Sequence, residues 1–144
     1  MYKQRGFSLV EILVVLVILG LLVSVVAPTV LNQADDARIK KVYADFANIQ
    51  TALKLYRLDN FVYPTSEQGL EALVERSSLD PEPRNFKTGG YLERIPFDPW
   101  GRPYLYLSPG ENGDFDLYSL GADGLAGGND QNGDLGNWDD GEAN

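Results

Sequence analysis

The sequence predicts an α+β protein in which a long N-terminal α-helix, apolar in its first half and amphipathic in its second, packs on a small antiparallel β-sheet domain. Three observations predict this. From Phe7 to Ala27 there are 21 residues whose only charge is Glu11. Beyond Pro28, apolar residues recur at Ile39, Val42, Phe46, Ile49, Leu53 and Tyr56, at spacings of three or four that make one stripe on a helix. After Tyr63 this period stops, and turn clusters alternate with two short runs of strand-forming residues.

Composition narrows the chemistry before any element is placed. The 144 residues include no Cys and no His. That removes thiol nucleophiles, thiolate metal sites, disulfides and histidine acid–base catalysis together. The chain carries 12 basic and 21 acidic residues, a formal charge of −9. No Lys or Arg follows Arg102, whereas nine acids lie between Glu111 and Glu142. An acidic half of this kind repels polyanions, so nucleic acid is not an expected partner.

The N-terminal run is the first element. Lys3 and Arg5 precede it, and basic residues at that position stay on the cytoplasmic side of a membrane. As a helix, Phe7 to Ala27 spans about 31 Å, enough to cross a hydrocarbon core. A cleaved secretory signal would need a small-residue cut site after the run. The candidate there, Val25-Val26-Ala27, is followed directly by Pro28. The small residue that stands out is Gly6, on the other side of the run. Glu11 then poses a problem, because an ionised carboxylate deep in a bilayer costs roughly 2.5–3.5 kcal/mol on insertion scales. It needs a partner, and no basic residue follows before Arg38.

Pro28 lacks the N–H that would bond the Ser24 carbonyl, which predicts a kink or local melting. The amphipathic half then continues to about Leu58, for a helix of roughly 78 Å from Phe7. Thr65 and Gln68 stand at capping-box spacing ahead of a short helix that buries Leu70, Leu73 and Val74. A loop from Ser77 to Gly90 and a turn cluster, Asp98-Pro99-Trp100-Gly101-Arg102-Pro103, come next. Tyr104–Leu107 and Phe115–Leu120 are the expected strands. Asp114 and Asp116 have strand spacing, which raises a paired-carboxylate hydrolase as a competing class; solvated turn and edge residues are the plainer account. No GxSxG or phosphate-binding loop adds to it.

Gly121 to Asp140 reads GADGLAGGNDQNGDLGNWDD. Composition alone predicts disorder. A hard cation is the alternative, since Ca²⁺ takes six to eight oxygens from carboxylates and carbonyls. Asp130-Gln131-Asn132-Gly133-Asp134 starts like an EF-hand loop, but Leu135 holds the position that needs Gly, and Gly141 the position of the bidentate acid. Trp138 is expected to anchor the return of the loop by packing in the core.

Arg5-Gly6-Phe7-Ser8-Leu9-Val10-Glu11 resembles the prepilin peptidase site of the type IV pilin and pseudopilin superfamily. The resemblance implies cleavage between Gly6 and Phe7, N-methylation of Phe7 and retention of the apolar run. It also implies a partner for Glu11: the new α-amine of Phe7 on a neighbouring copy, in a pair that desolvates together. Loss of Lys3 and Arg5 takes the charge from −9 to −11.

One branch matches more closely, the major pseudopilin of the type II secretion system. The residues that carry this are Leu58-Asp59-Asn60, Tyr63-Pro64-Thr65, Glu67-Gln68-Gly69-Leu70, Gly90-Tyr91-Leu92, Asp98-Pro99-Trp100-Gly101 and Ser119-Leu120-Gly121-Ala122-Asp123-Gly124. The resemblance implies a pilin-like fold whose C-terminal loop binds one Ca²⁺. By position, the ligands are the side chains of Asp123, Asp130 and Asp134 and the backbone oxygens of Leu120, Leu125 and Gly128. The spacing from Asp130 to Asp134 varies in the family, so Asp116, Asp139 and Asp140 stand in reserve. It further implies a leader over residues 1–6, a membrane and assembly helix over 7–30 and a periplasmic domain over 31–144. The implied function is a helical homopolymer, a periplasmic filament anchored at the Gram-negative inner membrane that drives export of folded proteins. Prepilin peptidase, minor pseudopilins and the inner-membrane secretion platform are the implied partners. A major or minor pilin of a type IV pilus, and a monomeric membrane-anchored calcium-binding protein, are the alternatives.

Overall fold

A computed structural model of the chain describes residues 6–139, without the side chains of residues 25–32. Lys3, Arg5 and Asp140 lie outside the described residues. A single helix, α1 (Leu9–Asn60), accounts for 52 residues. Its backbone is helical through both Gly20 and Pro28, so the local melting expected at the proline does not occur. A proline deletes one donor, and long helical runs on either side absorb that loss. Two compact units divide the chain, Met1–Ala37 and Arg38–Asn144.

In the first unit the helix opens on a capping box that the Ser8-x-x-Glu11 spacing encodes. Glu11 Oε2 accepts the Ser8 backbone N–H at 2.9 Å, and Ser8 Oγ accepts that of Val10 at 3.4 Å. The large apolar side chains from Phe7 to Val23 are all exposed, none of them less than 49%.

In the second unit the stripe read from the sequence is the core. Val42, Phe46, Ile49, Leu53 and Tyr56 are buried, with Ala52 beside them, and Ile39 is half-buried at the edge. They share one cluster with Leu70, Ala72, Leu73, Tyr104, Phe115 and Leu117. Phe46 meets Tyr104 edge-on at 5.4 Å, and Tyr56 meets Tyr91 at the same centroid distance.

The expected capping box after α1 is present in both directions. Thr65 N–H donates to Gln68 Oε1 at 2.9 Å, and Gln68 N–H to Thr65 Oγ1 at 3.2 Å. The element behind it is one 3₁₀ turn, Leu70–Leu73, rather than an α-helix. Leu70, Ala72 and Leu73 fill its buried side, and Val74 is only half-buried. The loop that follows is held by side chains reaching its backbone. Gln68 Nε2 donates to the carbonyls of Leu79 and Pro81, Arg76 to that of Pro83, and Asn60 Oδ1 accepts the Asn85 N–H.

The sheet has three antiparallel strands in sequence order: β1 (Leu105–Leu107), β2 (Asp116–Ser119) and β3 (Leu135–Gly136). Leu105 pairs with Tyr118 and Leu107 with Asp116. The third strand lies inside the segment whose composition predicts disorder; Ser119 pairs with Leu135 and Tyr118 with Gly136. Asn137 extends this edge by a further residue. Its N–H donates to the Leu117 carbonyl and its Oδ1 accepts the Leu117 N–H, both at 2.9 Å. Trp138 is 42% exposed and lies over Gly136 and beside Tyr118, so it clasps the outside of the sheet instead of entering the core.

The Tyr91 hydroxyl donates to Asp59 Oδ2 at 2.9 Å. Burial first, then this bond to the carboxylate, pushes the Tyr91 phenol up to about 12. Burial does the same to Tyr106. A folded-state value above the ordinary 10 gives stability that is complete below pH 10 and is lost as pH rises through 12. Tyr91→Phe is therefore expected to be less stable at neutral pH but to lose less between pH 10 and 12 than the wild type. Urea midpoints across that window check this, with Tyr106 common to both chains.

Candidate functional site

Two regions carry the chemistry that the sequence singles out. The first is the N-terminal segment. Gly6 and Phe7 precede the helix, and Phe7 is 83% exposed. Within the chain, Glu11 meets the Ser8 amide, which leaves one carboxylate flanked by exposed Phe7, Val10, Ile12, Val14 and Val15. The S-x-x-E spacing is the local signal that could have found this bond. Among the described residues no helix is long and apolar enough to cross a membrane. The 21-residue run expected to do so ends at Val25-Val26-Ala27, whose side chains lie outside the described ones.

The second region is the loop between β2 and β3. Asp123 Oδ1 accepts the Leu125 N–H, and Asp134 Oδ2 accepts that of Gly127, both at 2.9 Å. Two of the expected ligand carboxylates are thus tied to one short segment, 125–127. Asp130 sits in a 3₁₀ turn (Asp130–Asn132) with φ 53, and its carboxylate takes no hydrogen bond among the described residues. Gly128 has φ 93, and a Cβ there would collide with the Asn132 carbonyl. That position needs glycine to let the loop turn back on itself. The Leu120 carbonyl accepts the Gly124 N–H at 3.2 Å.

Among the described residues, no three acidic side chains converge into a group that could hold a metal on carboxylates alone. Carbonyl oxygens would have to complete the set, which suits a hard cation with many oxygen ligands. Of the reserve acids, Asp116 is buried and capped by the amides of Glu111 and Asn112, so it closes the β1–β2 turn. Asp139 accepts the Gly136 N–H. The paired-carboxylate alternative fails on the same observation: Asp114 is exposed and bonds Arg57 at 2.8 Å, while Asp116 is already satisfied.

The sequence pattern did not mark Asp98 and Arg102 as parts of this region. Asp98 is buried; its Oδ1 accepts the N–H of Trp100 and Arg102, and its Oδ2 accepts the Ser119 hydroxyl. Arg102 donates to the carbonyls of Gly121 and Ala122. These bonds cross about twenty residues of chain, and no local spacing announces them.

Residues 29–138 match the family model described as type II secretion system protein G, and residues 1–27 match the prokaryotic N-terminal methylation motif. The type II secretion system core protein G of Pseudomonas aeruginosa is 53% identical over 137 residues, covering 95% of this chain and 96% of that one. That of Vibrio cholerae is 51% identical, covering 96% and 94%. The crystal structure of the major pseudopilin of enterohaemorrhagic Escherichia coli superposes with a TM-score of 0.68 at 45% identity, covering 75% of this chain and 92% of that one. This chain belongs to the type II secretion system protein G family, the major pseudopilins, which are structural secretion subunits and not enzymes.

Proposed function

We propose that the chain is made as a membrane-inserted precursor, loses residues 1–6, and polymerises through its N-terminal helix into a periplasmic filament that drives folded proteins across the outer membrane. The observation that carries this is the exposure of every large apolar side chain from Phe7 to Val23. A soluble monomer does not leave such a surface in water; lipid covers it first and other copies afterwards. Lys3 and Arg5 keep the N-terminus at the cytoplasmic face of the inner membrane, so the single span delivers the rest of the chain to the periplasm. Minor pseudopilins and the secretion platform are the further partners in this scheme.

In the precursor Glu11 caps its own helix through the Ser8 N–H. Prepilin peptidase frees a cationic α-amine on Phe7, and methylation keeps the charge. The amine of one subunit can then pair with the Glu11 carboxylate of the next. Buried ion pairs serve better as register devices than as sources of stability. This one sets the axial step of a stack whose apolar packing supplies the attraction.

The loop after β2 is proposed to bind one Ca²⁺ through the carboxylates of Asp123, Asp130 and Asp134 and the carbonyls of Leu120, Leu125 and Gly128. What supports this is the placement of two of those carboxylates on one short segment and the left-handed backbone at Gly128. Binding would draw these carboxylates, which do not converge by themselves, onto one ion in a chain that has no cystine to close the loop.

Three outcomes are expected. Intact-mass analysis of the native protein extracted from membranes shows loss of residues 1–6 and gain of one methyl group; a chain beginning at Pro28 or later contradicts the assembly scheme. Glu11→Ala subunits, co-expressed with the secretion machinery, reach the membrane but form filaments at a small fraction of the wild-type level. EDTA lowers the thermal midpoint by several degrees and opens residues 121–139 to protease, and added Ca²⁺ reverses both; an unchanged midpoint and digest remove the ion from the account.

A further inference from the structure

Arg102 is the last basic residue of the chain, and its guanidinium is directed into the most acidic segment. Nη1 donates to the Gly121 carbonyl at 2.5 Å and Nη2 to the Ala122 carbonyl at 2.7 Å. The two donors of one planar group thus span two successive carbonyls, a geometry that lysine cannot reproduce. The base of the side chain is fixed as well. Arg102 N–H donates to Asp98 Oδ1 at 2.7 Å, Asp98 N–H to the Arg102 carbonyl at 2.8 Å, and the buried Ser119 hydroxyl to Asp98 Oδ2 at 2.8 Å. Through Asp98 the backbone of this arginine is tied to the last residue of β2, and its guanidinium holds the turn that leaves it.

The turn is shaped around the guanidinium. Gly124 has φ 69, and a Cβ there would stand 2.7 Å from Arg102 Cζ. On the far side the Ala122 N–H donates to the Gln131 carbonyl at 2.8 Å, so the latched turn also positions the 3₁₀ segment that carries Asp130. Arg102 uses the carbonyls of Gly121 and Ala122 and takes none of the oxygens assigned above to the cation.

We propose that Arg102 is the positioning residue of the acidic loop: a built-in cation that fixes the 120–124 turn before any metal arrives, so that the divalent ion binds a loop already half set. The second half of this statement rests on the calcium reading above; the first does not. Pre-ordering a loop removes part of the entropy cost of binding, and the gain appears as affinity.

The test uses the full-length chain in detergent micelles, as wild type, Arg102→Gln and Arg102→Lys. In EDTA, amide exchange at Ala122 and Gly124 should speed at least tenfold in Arg102→Gln, with Leu117 in β2 unchanged as the control. Unchanged exchange at Ala122 and Gly124 overturns the proposal. Should Arg102→Gln not fold, Arg102→Lys, which keeps the charge and loses the paired donors, must show the same loss. In Ca²⁺ titrations, Arg102→Gln and Arg102→Lys should both bind at least tenfold more weakly. A purely structural arginine would lower the thermal midpoints with and without Ca²⁺ alike and leave Kd within twofold of wild type, which also overturns the proposal. A wild type that binds no Ca²⁺ refutes the calcium reading instead, and exchange in EDTA still decides the role of Arg102.

Discussion

The stripe of α1 from Val42 to Tyr56 is the constraint on which the rest of the second unit depends. Five residues at helical spacing supply one continuous apolar face, and the 3₁₀ turn, Tyr104, Phe115 and Leu117 meet in a single cluster with it. Full burial of such side chains contributes roughly 1.5–3 kcal/mol each. The sheet is too small to fold alone: its strands are three, four and two residues long. Its apolar side chains share the core that the helix provides.

Apolar packing does not account for the loops. Long irregular stretches flank the strands, and the chain has no cystine to close them. Buried polar side chains act as fasteners instead. Asn60 and Gln68 hold the segment after the 3₁₀ turn, Asp98 holds its own turn and Ser119, and Asp116 closes the hairpin. Among the described residues no buried side-chain polar atom lacks a partner. A hydrogen bond adds only about 1 kcal/mol net, but an unpaired buried group costs more, so each fastener specifies a conformation more than it stabilises one.

The two units differ in where their apolar side chains lie. In Arg38–Asn144 twelve apolar side chains gather in a buried core, and the buried carboxylates of Asp98 and Asp116 are hydrogen-bonded. In Met1–Ala37 the large apolar groups from Phe7 to Val23 face outward, with the Glu11 carboxylate bonded to the Ser8 N–H among them. That contrast gives physical content to membership of the major pseudopilin family. One part of the chain folds on itself, and the other carries its described large apolar side chains on its surface.

The sequence by itself determined the features that depend on neighbours a few residues apart. The apolar run, the stripe from Val42 to Tyr56, the capping box at Thr65 and Gln68 and the first two strands were legible, because helical and strand periods are local. The methylation motif and the pseudopilin signatures were legible for the same reason, being contiguous strings. Only the tertiary structure decided that Leu135–Gly136 joins the sheet, that Trp138 lies outside the core, that Asp116 closes a turn, and that Asp98 and Arg102 bond the end of β2 and the turn after it, about twenty residues away. Composition predicts disorder for that loop because glycine and aspartate bury little surface. In the structure it makes long-range bonds to β2 and to a guanidinium, and no sequence spacing records which distant partner a backbone carbonyl will meet.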